Sequence, residues 1–178
     1  MALFVIYGNQ NSGKTHTCWL IYNLLRDEGL ELDFAPKRLM SKPTFPEVLE
    51  QIETSFVTKT PILYSDFRAL FNYKNKRIAI FSAGDKRGDD DKNRTDWNDD
   101  VVDFVNNMHW AEQNEVDHVI CCSRSLNRTG SVQSYILTHY RMHIYRWYYK
   151  TQTNVLAEQI ADAQKVAIEV FTNIKENC

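Results

Sequence analysis

The 178-residue chain reads as one α/β domain: a three-layer α/β/α arrangement around a mostly parallel sheet, with one antiparallel hairpin at its edge. Three observations lead there. Apolar runs of strand length alternate with amphipathic stretches of helix length, and such alternation builds a parallel sheet with helices on both faces. The first of these runs passes through a glycine-bearing loop into a helix start. One pair of strand-like runs is separated only by the polar turn Lys74-Asn75-Lys76, the pattern of a hairpin.

Taken in order, Leu3-Phe4-Val5-Ile6-Tyr7 is a short apolar run, the pattern of a buried first strand. Lys14 to about Asp27 reads as a helix, and Gly29 is a natural stop. Residues 30–34 suit a short strand. Thr44-Phe45-Pro46-Glu47 is a capping box with proline in the first turn, so a second helix spans about 45–57. The hairpin follows: Asp66 to Tyr73, the turn, then Arg77 to an apolar run that ends at Gly84-Asp85. Residues 85–100 are rich in Asp, Lys, Arg and Asn and read as a loop. A helix over about 100–113, a strand over 116–122, a polar loop over 123–130 and a helix over about 131–141 come next. Residues 143–149 are aromatic and β-prone and read as a last strand, with continuation of the preceding helix as the alternative. Asn154 caps a long final helix whose apolar stripe is Leu156, Ile160, Ala163, Ala167, Val170, Phe171 and Ile174.

Composition excludes several classes. Hydrophobic residues make up 43% and charged residues 25%, as in ordinary globular domains. The net charge of -2 provides no global basic field for nucleic acid or anionic lipid. No apolar run approaches a membrane span, and no signal segment precedes the first strand, so a cytoplasmic protein with no membrane partner is expected. Cys18, Cys121, Cys122 and Cys178 have no C-x-x-C spacing, and buried free thiols are the expected state. His139 and His143 lack the companions a zinc site needs. Tyr145, Trp147, Tyr148 and Tyr149 read as packing residues, with no clear nucleic-acid signature.

The segment richest in chemistry is Gly8-Asn9-Gln10-Asn11-Ser12-Gly13-Lys14-Thr15, which fits G-x-x-x-x-G-K-[ST]. Glycines at both ends let the loop curl so that successive N–H groups point inward, and the helix start adds its positive end. The expected phosphate-binding set is Gly8, Asn11, Ser12, Gly13, Lys14, Thr15 and His16. Lys14 brings a full charge to the β- and γ-phosphates, and the Thr15 hydroxyl is placed to ligate Mg²⁺.

Asp85, after the apolar run of the hairpin, is the expected second metal ligand, although Ser82-Ala83-Gly84 intervenes where such an acid ordinarily follows the strand directly. Asp66, before the hairpin, is placed for a similar role from the opposite side, although it reads first as a solvated strand-end carboxylate. Arg124 and Arg128, in a loop at a strand end, are candidates to neutralise charge on a transferred phosphoryl group. Arg87 and Arg94 take that role only if the 85–100 loop closes as a lid.

On Gly8 to Thr15 and the strand–helix order, the chain resembles the P-loop NTPase superfamily. The hairpin before Gly84-Asp85 is similar to the Ras-like GTPases, but no Asn-Lys-x-Asp is present: the expected strand end reads Cys121-Cys122-Ser123-Arg124. The arginine-bearing 123–130 loop is similar to the lid of small nucleotide kinases, whose Asp-Arg acceptor signature is missing. The resemblance implies ATP or another nucleoside triphosphate as ligand, Mg²⁺ as cofactor, and phosphoryl transfer to a small-molecule acceptor or hydrolysis. A nucleotide-sensing, GTPase-like switch with little turnover is the alternative.

Overall fold

A computed structural model describes residues 1–9, 13–37, 41–58, 66–82, 98–124, 131–151 and 153–178, without the side chains of 98–100 and 124. The elements in chain order are β1 (Ala2–Gly8), α1 (Lys14–Glu28), β2 (Leu30–Pro36), α2 (Phe45–Thr58), β3 (Phe67–Tyr73), β4 (Lys76–Phe81), α3 (Asn98–Gln113), β5 (His118–Arg124), α4 (Val132–His139), β6 (Ile144–Lys150) and α5 (Leu156–Asn177). A 3-10 turn at Arg141–His143 joins α4 to β6.

The six strands form one sheet in the order β2-β3-β4-β5-β1-β6. β4, β5, β1 and β6 run parallel, and β3 is antiparallel to both β2 and β4. The hairpin is therefore present, but its first strand lies inside the sheet, and β2 rather than the hairpin is the edge. The reason is that β2 itself pairs with β3 and covers it. β2 carries a bulge between Glu31 and Asp33, one way an edge avoids pairing with a stranger.

Alternation along β1 sorts the core onto the two faces. Phe4 and Ile6 join a cluster with α1, α2 and α5 through residues such as Trp19, Val48 and Ala167. Leu3 and Val5 join a second cluster with α3 and α4, through Phe104, Met108 and Ile136. Helices thus cover both faces. α1 is enclosed on every side: Cys18, Trp19, Leu20, Ile21 and Tyr22 are all fully buried. Trp19 stacks on Phe67 of β3 with centroids 4.0 Å apart, so α1 leans across the sheet from β1 towards β3.

Helix ends follow local chemistry. The capping box holds: the Glu47 carboxylate accepts from Thr44 N–H at 2.7 Å and from the Thr44 hydroxyl at 2.8 Å. Ser131 caps α4 through Ser134 N–H. Gly29 ends α1 at an extended φ, and close approach is what demands glycine there. A Cβ at Gly29 meets Leu25 O at 3.0 Å and Asn72 O at 3.1 Å. Asn154 does not cap α5. Val155 is the N-cap, and Thr153 does the work, accepting Val155 N–H and donating to Glu158. Cys18, Cys121 and Cys122 are buried free thiols, as expected, whereas Cys178 is half-buried. Among the described residues no helix is long and apolar enough to cross a membrane.

Candidate functional site

β1 ends at Gly8 and α1 begins at Lys14. Gly13, immediately before α1, has φ 81° and ψ 23°. That left-handed conformation costs a residue with a Cβ about 1 kcal/mol or more, which explains glycine here. No acidic residue occupies the first turn of α1, unlike α2 with Glu47 and α5 with Glu158. The first i to i−4 bond runs from Thr17 N–H to Gly13 O at 3.0 Å. The amides of Lys14, Thr15 and His16 precede it, the arrangement that favours an anion at a helix start.

Lys14 is 2% exposed. Its ammonium donates to Gly8 O at 3.2 Å and Asn9 O at 2.7 Å, so the side chain doubles back onto the loop that precedes it. The Thr15 hydroxyl donates to Asp66 Oδ1 at 3.1 Å. Ser82 Oγ donates to the same oxygen at 3.1 Å and accepts from Phe67 N–H at 3.0 Å. A hydroxyl, a carboxylate and a second hydroxyl thus meet beside the helix start.

Topology explains why the carboxylate is Asp66. β3 is antiparallel, so the residue before its first strand position lies at the carboxyl ends of the parallel strands. The lean of α1 towards β3 brings Thr15 to it. The hairpin register sets Ser82 opposite Phe67, one residue on from Asp66, and the Ser82 hydroxyl reaches across to the Asp66 carboxylate. Asp85, the expected metal ligand, lies outside the described residues, as do Asn11, Ser12, Arg128, Arg87 and Arg94. Arg124 is the last residue of β5 and pairs in register with Gly8, so its backbone flanks the end of β1.

Two further basic groups lie near the end of β1 and the start of α1. Lys150, the last residue of β6, is the register partner of Gly8 and is 1% exposed. It donates to Asp162 Oδ2 at 2.6 Å, and the same oxygen accepts Thr151 N–H. Burial pulls the Lys150 pKa below its ordinary value, and the charge of Lys14 acts in the same direction against the pull of Asp162. The His16 side chain is also buried, with Nε2 lacking a hydrogen-bond partner among the described residues. Burial first, and Lys150 second, lower its pKa to about 4, so the imidazole is neutral at physiological pH. Sequence reasoning missed Lys150, because a lysine ending an aromatic strand carries no motif.

The oxygens of Thr15 and Asp66 suit a hard divalent cation. Among the described residues no group of three or more His, Cys, Asp or Glu side chains could hold a metal ion. No family model matches the chain, and comparison with curated proteins and with solved structures yields no match.

Proposed function

We propose that the chain is a P-loop NTPase of three-layer fold that binds ATP with Mg²⁺ and transfers or hydrolyses its γ-phosphate. The observation that carries this reading is the conjunction at one loop: left-handed Gly13, Lys14 turned into the loop, and Thr15 bonded to a carboxylate. In it, the amides at the start of α1 and the Lys14 ammonium hold the β- and γ-phosphates. Thr15 and Asp66 hold Mg²⁺, which neutralises charge on those phosphates. Asp66 replaces Asp85 as the favoured carboxylate, because it already faces Thr15. Arg124, beside the loop, and Arg128 are the candidates to neutralise the transferred group. Absence of Asn-Lys-x-Asp favours ATP over GTP.

Calorimetry with Mg·ATP tests the binding. Lys14→Ala removes a charge-assisted contact and is expected to weaken binding by about 10- to 100-fold. A variant that binds as tightly as the wild-type protein overturns the reading. Phosphate release, with and without small-molecule acceptors, then separates kinase from hydrolase. Tight binding with no release under any condition identifies the switch.

A further inference from the structure

We infer that Tyr7, Trp147 and Tyr149 form a seat for the nucleobase, so that the site takes a base-bearing nucleotide in preference to bare polyphosphate. This rests on the nucleotide reading above and extends it to a part of the ligand the phosphate loop does not touch.

Position comes first. Tyr7 immediately precedes Gly8, and the β1–β6 register pairs Tyr7 with Tyr149 just before it pairs Gly8 with Lys150. Tyr7 packs against both other rings, 5.5 Å from Trp147 edge-on and 5.2 Å from Tyr149. They belong to the α3/α4 face of the sheet, since Trp147 packs against the cluster that contains Leu3 and Val5. Arg124 ends the neighbouring strand on the other side of Gly8.

Exposure separates this trio from ordinary core aromatics. On the opposite face of the same two strands, Phe4 and Tyr148 are buried. Tyr149 is 49% exposed, and Tyr7 and Trp147 are half-buried. Neither the Tyr7 nor the Tyr149 hydroxyl has a hydrogen-bond partner among the described residues. Trp147 packs against the core, Tyr7 rests on it, and Tyr149, the register partner of Tyr7, is the most exposed ring of the three.

Charge selects the occupant. From His118 to Ala157 the chain contains no acidic residue; Arg146 and Lys150 of β6 are paired with Glu169 and Asp162 of α5, and Arg124 ends β5 beside Gly8. A ring platform set in that acid-free stretch, contiguous with a loop that seats phosphate, suits a flat heterocycle tethered to an anionic tail. Stacking on an aromatic ring tolerates any base, because each presents a π-face.

The test is calorimetry with three ligands, Mg·ATP, Mg·GTP and Mg·tripolyphosphate, on the wild-type protein and on Tyr149→Ala, Tyr149→Phe and Tyr145→Ala. Tyr145 is an equally exposed ring of the same strand that packs on Phe4, on the other face. Loss of one stacked ring is expected to weaken both nucleotides about tenfold in Tyr149→Ala. Tripolyphosphate binding stays within twofold, Tyr149→Phe restores the nucleotides, and Tyr145→Ala changes nothing. Equal loss for tripolyphosphate and ATP, unchanged ATP binding in Tyr149→Ala, or an equal effect of Tyr145→Ala overturns the inference. Wild-type protein that binds tripolyphosphate as tightly as ATP overturns this inference alone. Wild-type protein that binds none of the three overturns it together with the nucleotide reading.

Discussion

Thr15 and Asp66 stand 51 positions apart and meet at 3.1 Å. Asp66 is thus the residue whose change speaks most directly to metal binding. Asp66→Asn keeps one acceptor oxygen for Thr15 and Ser82, removes the charge and turns the other oxygen into an N–H donor. Its expected effect is loss of about tenfold in the Mg²⁺ enhancement of nucleotide affinity, the scale of one charged contact, with metal-free affinity unchanged. Titrations of ATP with and without Mg²⁺ measure it. If Asp85→Asn rather than Asp66→Asn abolishes the enhancement, the carboxylate is the one the sequence pattern favoured. His16 has a different consequence. Its folded pKa is about 4 against 6.5 for the free side chain. The folded state therefore binds fewer protons between those values, and stability is full above pH 6.5 and declines as pH falls towards 4. Lys150 and Lys14 add positive charge nearby, while Asp162 is committed to Lys150. At 1.36 kcal/mol per unit, the loss reaches about 3 kcal/mol. Urea unfolding across that range measures the slope, and His16→Gln is expected to flatten it. An unchanged slope in that variant places the titration elsewhere.

At the scale of elements, β6 meets α5 through a buried ion pair, and its strength depends on what is left behind when half of it is removed. Lys150 is enclosed and has one carboxylate partner, Asp162, which is itself partly exposed. Asp162→Asn strands a desolvated ammonium and also weakens the acceptor for Thr151 N–H. The expected cost is about 2–3 kcal/mol, at or below the usual range for a broken buried pair because Asp162 still meets water. Lys150→Met combined with Asp162→Leu is expected to recover most of it, and a double-mutant cycle in urea measures the difference. Local chemistry of this kind was only partly legible. The capping box at Thr44 and Glu47 was plain because both partners lie within one turn. The start of α5 falls one residue beyond the cap that Asn154 suggests: Val155 is the N-cap, and it is the Thr153 hydroxyl that accepts from Val155 N–H. The hairpin was legible from its turn, but not the interior place of β3, since that depends on β2, which is distant in sequence.

For the whole molecule, the order β4-β5-β1 is the feature no local pattern contains: it follows from which face each crossover helix takes, decided by packing on both sides at once. The alternation of elements still gave the α/β class, and the loop before α1 gave Lys14 and Thr15, because each is encoded within a few residues. Asp66 ranks behind Asp85 in the sequence, because the meeting of Asp66 with Thr15 depends on the antiparallel placement of β3 across the sheet, which no local pattern carries. The same architecture sets how a ligand spreads its effect. β1, β4, β5 and α1 lie at the centre with buried side chains, and their amides are expected to exchange with solvent only through global opening. β2 is an edge strand with a bulge and with Leu30 and Leu32 exposed, so its outward amides exchange by local fraying. A ligand held at the start of α1 stabilises the folded state against global unfolding by about 2.7 kcal/mol at a hundred times its Kd. Hydrogen exchange with saturating Mg·ATP is therefore expected to slow the central amides by about 100-fold and together, while the β2 edge barely changes, because fraying there leaves the ligand bound. Uniform slowing that includes β2 would place the ligand across the sheet edge. No slowing in β1 and α1, with ATP bound by an independent measure, would place it away from the Gly13–Lys14 loop.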